Sequence, residues 1–298
     1  MSKVEQLYIG NAIGHHGELI QGRLISHASE DTKKMSITLP WSEIGSTATL
    51  SVNNSYGGII CSSLSKEKAL KAAKLTSMYL LGEELNGELT IYNSLAVGKG
   101  LGTSTMDVLA AIRAVSKSCF KKLEKWEEAE LATKAELACD AVMFDDTTVL
   151  FSSEDATVLK DFNRKLPSML IIGFDSEPKT IINTLDLRTP NYSNEELKIF
   201  NQLVDTVEKG IISNKLELIG EVATISADIN QTYLPKKNYH KIKKIAENFK
   251  AIVGIQIAHT GTVMGLICDP DSFKNSLFED IKLELNNIDV EPYLITIT

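Results

Sequence analysis

The segment that most constrains the fold of this chain is a glycine-rich run that leads directly into an apolar helix pattern. It reads GKGLGTST over residues 98–105, and apolar residues at helical spacing follow it. The first N–H groups of a helix lack backbone partners and lie at the positive end of the helix dipole, so bare glycine backbone there suits an anion. The pattern predicts a phosphate site, although a glycine-rich turn with an N-cap explains the same residues.

Two common phosphate motifs do not match this run. A P-loop requires GxxxxGK followed by Ser or Thr, whereas Gly100 follows Lys99 here and Asn93 occupies the position of the first glycine. A dinucleotide-binding fingerprint requires G-x-G-x-x-G, whereas these glycines are spaced by two residues. What remains is a row of hydroxyl groups at residues 103–105, which can cap a helix or bind phosphate and Mg²⁺.

Composition narrows the class of protein. The 298 residues are 43% hydrophobic and 23% charged, which is typical of a globular protein with a large core. The net charge of −8 argues against nucleic-acid binding, and the lysines at 236–237 and 241–244 are interpreted as the solvated face of a helix. Four widely spaced cysteines indicate neither disulfides nor a zinc site. With no signal-peptide pattern or long apolar run, we expect a cytoplasmic protein without a membrane partner.

The remaining patterns predict a mixed α+β protein. Strands are expected at 46–54, 87–94, 167–175 and 290–297, with two more inside 251–269 on either side of a His-Thr-Gly turn. Helices are expected at 65–82, 103–119, 124–138, 193–210, 214–231, 238–249 and 271–286. We place a domain boundary so that residues 1–163 form one lobe with the glycine loop and residues 164–298 form a second.

Two more stretches accompany the loop: GHHGELIQG at 14–22 and AHTGTVMGL at 258–266, each interpreted as a small-residue turn with polar side chains between apolar strands. In this order the three motifs resemble the GHMP kinase superfamily. They are more similar still to the L-threonine kinases of cobamide synthesis, the PduX type, in which GELIQG, AHxGTVxGL and a GFD recur. The resemblance covers nearly the full chain. It implies a two-lobed GHMP kinase fold, with an N-terminal lobe like ribosomal protein S5 domain 2 and a ferredoxin-like C-terminal lobe.

The resemblance also implies where ATP and Mg²⁺ bind. The loop would wrap the triphosphate, with Ser104 near the β- and γ-phosphates and Mg²⁺ and with Lys99 able to touch a phosphate. The residues concerned are Gly98, Lys99, Gly100, Leu101, Gly102, Thr103, Ser104 and Thr105.

Asp140 aligns with the acidic residue that the family is proposed to use as proton acceptor, because ACDAVMF matches the family's PTDSVMF. A helix-terminal cap is the alternative for this residue. The branch has a glutamate three residues before the aspartate, where this chain has Leu137. Glu136 is four residues before Asp140 and would share its helical face if the helix continues, so it could replace the missing metal ligand. Ala96 also replaces the family's proline.

The sequence constrains the substrate site less than it constrains the phosphate loop. His15 and His16 replace the usual Ser-Cys, and adjacent residues of an extended segment point in opposite directions, so at most one faces the pocket. For an amino-acid substrate, Glu18 and Asp175 suit the ammonium, whereas His15, His16 or His259 suits the carboxylate. The full set of candidates is His15, His16, Glu18, Gln21, Asp175, His259, Thr260 and Gly261. The alternatives are strand-edge hydrogen bonds for Glu18 and Gln21, a packed histidine for His259 and a strand-end turn for Asp175.

We therefore expect an ATP- and Mg²⁺-dependent kinase that phosphorylates the hydroxyl group of L-threonine or a related amino acid, as a monomer or homodimer. One alternative is a kinase for another small alcohol such as homoserine. A second is a catalytically weakened GHMP-fold protein that binds a nucleotide or metabolite, an alternative that Leu137 at the expected metal position raises.

Overall fold

The computed structural model describes residues 6–25, 32–53, 55–182 and 190–297. The strands are β1 (Leu7–Ile25), β2 (Thr32–Val52), β3 (Ile59–Cys61), β4 (Gly87–Tyr92), β5 (Val149–Ser152), β6 (Thr157–Asp161), β7 (Met169–Asp175), β8 (Ile252–Ile257), β9 (Val263–Cys268) and β10 (Pro292–Ile297). The α-helices are α1 (Glu67–Leu81), α2 (Thr103–Ser118), α3 (Lys125–Glu136), α4 (Asn194–Ser213), α5 (Leu216–Asn230), α6 (Tyr239–Glu247) and α7 (Asn275–Asn286).

The described strands join in one mixed sheet, which confirms the predicted α+β class. Its main path runs β10-β7-β9-β8-β1-β2-β4-β3, and β5 leaves this path to pair with β2 and β6. Most neighbours are antiparallel, whereas β3 and β4 are parallel. A single residue pair, Glu18 with Ile257, joins β1 to β8. The sheet therefore passes from its N-terminal to its C-terminal strands at Glu18.

The prediction that residues 14–22 form a turn was wrong, because the structure places all of them within β1. The strand pairs with β2 along its whole length, but its register shifts at Ile13/Gly14, His15/Glu18 and Glu18/Ile20. Gly17 has a φ of 68°, so the chain kinks without leaving the sheet. The glycine and polar residues that suggested a turn produce these irregularities instead.

The buried side chains of the described residues form three clusters, which show how the N-terminal and C-terminal parts of the chain are joined. The first lies between α1, α2 and α3 and the strands β1, β2 and β4. The second brings Leu19 and Ile37 of the long hairpin against α4 and α5, and the third lies around α6, α7, β8 and β9. The β1–β2 hairpin contributes to the first two clusters. The boundary between residues 163 and 164 stays a prediction.

All seven predicted helices are present among the described residues, and their ends differ from the predicted ends by up to four residues. Helix α1 ends at the predicted Gly82, whose φ of 76° and N–H bond to the Met78 carbonyl are typical of a glycine cap. Helix α3 ends two residues earlier than predicted, since Leu137 adopts a left-handed φ of 73°. Among the helices that the structure describes, none combines the length and apolar character required to cross a membrane.

Candidate active site

The predicted phosphate loop is a series of left-handed glycines that ends where α2 begins. Gly98, Gly100 and Gly102 have φ values of 81°, 86° and 69°, which strain any other side chain. Gly102 directly precedes the helix, and no side chain caps its first N–H groups. The N-terminus of α2 therefore opens onto bare backbone, an arrangement suited to an anion.

These glycines also allow three distant segments to meet. A Cβ atom on Gly102 would collide with the ring of His15, and a Cβ atom on Gly100 would collide with Ala258. Gly261 lies so close to the backbone of residues 99–100 that it has no room for a side chain either. The N-terminal motif, the loop and the C-terminal turn therefore converge at the start of α2.

The hydroxyl groups at the start of α2 bind a buried carboxylate rather than capping the helix. Ser104 Oγ donates to Glu136 Oε2 at 2.6 Å, and Thr105 Oγ1 donates to Glu136 Oε1 at 2.8 Å. Burial raises the pKa of Glu136 to about 7 despite these two hydrogen bonds. The structure thus brings together the two residues that were predicted to hold a metal ion, Ser104 and Glu136.

Asp140 forms the centre of the site with His15. The Nε2 atom of His15 lies 3.0 Å from Asp140 Oδ2, and Thr105 Oγ1 lies 3.3 Å from the same oxygen. Burial alone would lower the pKa of His15, but the charge and hydrogen bond of Asp140 raise it to about 9. Burial would raise the pKa of Asp140, but the His15 charge lowers it to about 2. The pair is therefore ionic near neutral pH.

Glu136 and Asp140 do not share a helical face, contrary to the expectation that α3 continues. The helix ends at Glu136, and Leu137 turns the chain with a left-handed backbone. Both carboxylates nevertheless contact the hydroxyl of Thr105. A turn between them, rather than a helix, brings the two groups to the start of α2.

A second set of predicted residues lies where β1 meets the C-terminal turn. Glu18 Oε2 accepts the backbone N–H of His259 at 2.6 Å, and His259 Nδ1 lies 2.5 Å from Gln21 Oε1. Burial raises the pKa of Glu18 to about 7. Burial, followed by the charges of Lys34 and Lys236, lowers the pKa of His259 to about 3. Glu18 Oε1 also lies 4.0 Å from His15 Nδ1, so this set adjoins the Asp140 pair.

His16 lies apart from these residues. Its Nε2 atom is 2.8 Å from the hydroxyl of Tyr293, and its Nδ1 atom is 2.5 Å from the amide nitrogen of Gln256. The ring packs edge-on against Trp41 and Tyr293. Burial lowers the pKa of His16 to about 3, so the ring is neutral. These contacts are those of a packed core histidine.

Lys99 and Asp175 pair with each other. The Lys99 ammonium lies 2.8 Å from Asp175 Oδ2 and donates to the backbone carbonyls of Glu177, Pro178 and Thr180. The lysine thus points from the loop toward the segment after β7. In this arrangement its ammonium does not face the start of α2, and the Asp175 carboxylate already has a cationic partner.

The structure adds Lys236, which sequence reasoning misassigned to a solvated helix face. Lys236 precedes α6, is only 8% exposed, and donates from Nζ to the Gly261 carbonyl at 2.7 Å. Gly261 and its neighbour Thr260 lie in the turn between β8 and β9 that carries His259. The one available signal was Pro235, which directly precedes this lysine and indicates a loop rather than a helix at this point.

Two groups of side chains are geometrically able to hold a metal ion. His15, Glu18 and Asp140 offer ligand atoms within 4.8 Å of one another. A protonated His15 has no free lone pair and repels a cation, so this group is disfavoured at neutral pH. The oxygen atoms of Ser104 and Glu136 are hard ligands of the kind that Mg²⁺ prefers, and a carboxylate joined to a hydroxyl at a phosphate-type loop fits that ion.

Comparison with known proteins agrees with this geometry. The family described as "GHMP kinases N terminal domain" matches residues 67–151. An L-threonine kinase of Citrobacter freundii is 25% identical over 85% of this chain and 83% of its own length. An L-threonine kinase of Salmonella typhimurium is 26% identical over 60% of this chain and 59% of its own length.

Solved structures show the same fold. A homoserine kinase from Cytophaga hutchinsonii superposes with a TM-score of 0.73 and 15% identity, covering 100% of this chain and 96% of the other. An identity this low establishes the fold alone. The similarity in sequence is to the two L-threonine kinases. The predicted resemblance and the predicted fold are confirmed: residues 67–151 match the GHMP kinase N-terminal domain, and the chain is similar to L-threonine kinases.

Proposed function

We propose that this protein is an ATP- and Mg²⁺-dependent kinase that phosphorylates the side-chain hydroxyl of L-threonine. The observation that carries the proposal is the convergence of Glu136 and Asp140 on Thr105 at the uncapped start of α2. One carboxylate is hydrogen-bonded by hydroxyls and the other is ion-paired. Phosphoryl transfer to an alcohol uses one group to hold the metal ion and another to accept the hydroxyl proton, and the two carboxylates suit these two roles.

The loop from Gly98 to Thr105 supplies the seat for the ATP phosphates. Its glycines leave the N–H groups of α2 accessible, and the helix dipole favours negative charge at that point. Lys99 contributes by fixing the loop through its contacts with the segment after β7. Backbone donors, rather than a lysine side chain, do most of the phosphate binding.

Ser104 and Glu136 are the residues that would hold Mg²⁺. When bound, the ion neutralises phosphate charge and orients the phosphates for in-line transfer. Glu136 must be ionised to serve as a ligand, and its two hydroxyl partners favour that form.

Asp140 receives the proton of the acceptor. As the substrate oxygen bonds to the transferred phosphorus, the bond between that phosphorus and the ADP oxygen breaks, and the hydroxyl proton passes to the Asp140 carboxylate. The His15 ring, held 3.0 Å away, keeps Asp140 ionised and fixes the direction of its oxygens. The role of Asp140 is chiefly to orient the hydroxyl, because so acidic a carboxylate is a weak base.

The choice of L-threonine is supported by the two L-threonine kinases that the chain resembles. A buried carboxylate at Glu18 and a cationic group at His15 suit an amino-acid head group. The phosphorylated product would serve as a precursor of a cobamide side chain. We further propose a cytoplasmic enzyme, monomeric or homodimeric, whose substrate-binding residues include Glu18, Gln21, His259, Thr260 and Gly261.

A screen for ADP release tests the proposal. L-threonine, L-serine, homoserine and alcohols without an amino-acid head group are compared, and phosphorus NMR locates the product. We expect L-threonine to be preferred, with L-serine weaker because it lacks a methyl group worth about 1–3 kcal/mol. Activity only on homoserine or on a sugar would contradict the substrate. Ligand-dependent thermal stabilisation without any ADP release would instead indicate the catalytically weakened binding protein.

A further inference from the structure

Lys236 is a buried cation that the phosphoryl-transfer site does not use. It lies between α5 and α6, and its side chain reaches the turn between β8 and β9 to donate to the Gly261 carbonyl. The same turn presents the His259 N–H to Glu18. The ammonium therefore binds the same turn that presents an N–H group to Glu18.

The hydrogen bonds of Lys236 are incomplete. An ammonium has three N–H donors, and within the part of the chain that the structure describes one of them is bonded, to Gly261. Lys99 offers a direct contrast: its equally sequestered ammonium is surrounded by three carbonyl oxygens and Asp175. Burying a cation with most of its donors free is costly, so a further acceptor is expected at Lys236.

Glu18 is a source of opposite charge that acts on Lys236, but it is not that acceptor. No salt bridge links the two side chains among the described residues, although each affects the other's pKa. Burial lowers the pKa of Lys236 to about 8, an effect that the charges of Glu18 and Glu177 oppose. Glu18 and Lys236 therefore bring opposite charges to the same turn without pairing directly.

We propose that the head group of the amino-acid substrate binds between these two side chains, with Lys236 binding its carboxylate and Glu18 its ammonium. A free amino acid carries these two charges on adjacent positions, so one molecule can pair both buried groups at once. The inference rests on the proposed function and makes Lys236 the residue that distinguishes amino acids from other alcohols. It replaces the histidines as the expected carboxylate partner.

The test compares two acceptors that differ only in the carboxylate. L-threonine and 1-amino-2-propanol share the secondary hydroxyl and the ammonium, whereas the second lacks the carboxylate. We expect Lys236→Met to lower kcat/KM for L-threonine on the order of 10²-fold while changing kcat/KM for 1-amino-2-propanol less than about threefold. Lys236→Arg should restore part of the loss because it keeps the cation.

Lys237→Met is the matched control, since Lys237 is exposed and adjacent in sequence. It should leave both acceptors unaffected. Equal losses for the two acceptors in Lys236→Met, or no loss for either, would overturn the inference. A thermal melt of each variant shows whether an equal loss reflects misfolding. If Lys236→Met is misfolded, the kcat/KM values of Lys236→Arg for the two acceptors are compared instead.

Calorimetry separates this inference from the kinase assignment. Binding of L-threonine and of 1-amino-2-propanol is titrated against the unmodified protein and against Lys236→Met. We expect the unmodified protein to prefer L-threonine and the variant to lose that preference. A preserved preference in the variant, or no binding of L-threonine to the unmodified protein, contradicts the role of Lys236. ADP release without any such preference would leave the kinase standing.

Discussion

His15 and His16 are neighbours on one strand, yet the surroundings of the two rings differ completely. His15 is ion-paired to Asp140, adjoins Glu18 and has an Nδ1 atom without a hydrogen-bond partner among the described residues. His16 has a partner for each ring nitrogen and packs among aromatic rings. Because a strand sends successive side chains to opposite faces, one residue step separates a charged site from a neutral core.

The difference shows how a buried histidine can be recognised as part of a site. Burial lowers the pKa of His16 to about 3, because hydrogen bonds to neutral groups do not offset desolvation. The same burial at His15 is outweighed by carboxylates, so its pKa rises to about 9. Charged neighbours and an unused nitrogen, rather than burial, distinguish the ring that adjoins the proposed chemistry.

Asp140→Asn should have the largest effect on turnover, because Asp140 contacts His15 and not His16. The amide cannot accept the substrate proton and leaves His15 without an anionic partner, so turnover should fall about 10²- to 10⁴-fold. Binding of the nucleotide, which contacts the loop, should change little. Steady-state ADP release and a nucleotide titration measure the two quantities. Turnover close to that of the unmodified protein would remove Asp140 from the mechanism.

Two glycine substitutions test separately the surroundings of His15 and those of His16 on the two faces of β1. A Cβ atom on Gly102 would strike the His15 ring, whereas one on Gly173 would strike His16 and Tyr293. We expect Gly102→Ala to lower activity strongly by displacing His15. Gly173→Ala should mainly lower the free energy of unfolding, by about 1–3 kcal/mol, as overpacking usually does.

Urea unfolding and ADP release are measured on both glycine variants. Gly82→Ala is the control for backbone strain, because Gly82 has a similar φ of 76° but no atoms near the added methyl group. If Gly102→Ala and Gly82→Ala behave alike in both assays, contact with His15 is unimportant.

The two histidines should respond to pH in opposite directions. The pKa of His15 is raised from 6.5 to about 9, so its ion pair contributes stability below pH 6.5 and loses it as the pH rises through 9. The destabilisation caused by His15→Gln, about 2 kcal/mol near pH 6, should therefore shrink toward alkaline pH.

His16 follows the reverse course. Its pKa is lowered from 6.5 to about 3, so burying the neutral ring costs progressively more stability as the pH falls below 6.5. The destabilisation by His16→Gln should accordingly shrink toward acid. Urea midpoints between pH 5 and pH 9, with each variant compared to the unmodified protein, measure both trends. Parallel curves for the two variants would show that both rings have the same charge.

Leu137→Gly should have the smallest effect, and it concerns the turn between the two carboxylates. Leu137 is 73% exposed and left-handed, so glycine relieves strain without removing buried contacts. We expect a gain of about 1 kcal/mol or less in the free energy of unfolding, with activity unchanged. Leu137→Ala, which keeps the strain, should show no gain. A loss of activity in Leu137→Gly would indicate that this turn must be stiff to hold Glu136 and Asp140.

Much of the fold could be predicted from the sequence because its signals are local. Helices α4 and α5 follow apolar periodicity, and α1 ends at Gly82 as its cap signal indicated. The long strand β1 could not be predicted, since glycines and adjacent histidines at 14–17 suggest a turn when its partner strand is unknown. Short strands such as β3 and β5 depend on pairing with distant residues and carry little signal of their own.

The site was predictable as a set of residues but not as a geometry. The resemblance to GHMP kinases singled out Ser104, Glu136 and Asp140, and the structure brings all three together. Which histidine faces Asp140 depends on the kinked register of β1. The burial of Lys236 depends on a turn 25 residues away in sequence. Neither contact follows from local pattern, and the roles of these side chains stay predictions.

The contacts of Lys99 indicate whether an N-terminal fragment could keep the structure of the glycine loop. Its backbone carbonyl accepts the N–H groups of Thr262 and Val263, and its ammonium holds the carbonyls of Glu177 and Pro178. All four of these partners belong to the C-terminal part of the chain. A fragment cut at residue 163 would retain every glycine of the loop but none of these attachments. The proposed nucleotide-binding loop therefore depends on the C-terminal part of the chain and is not a module that functions alone.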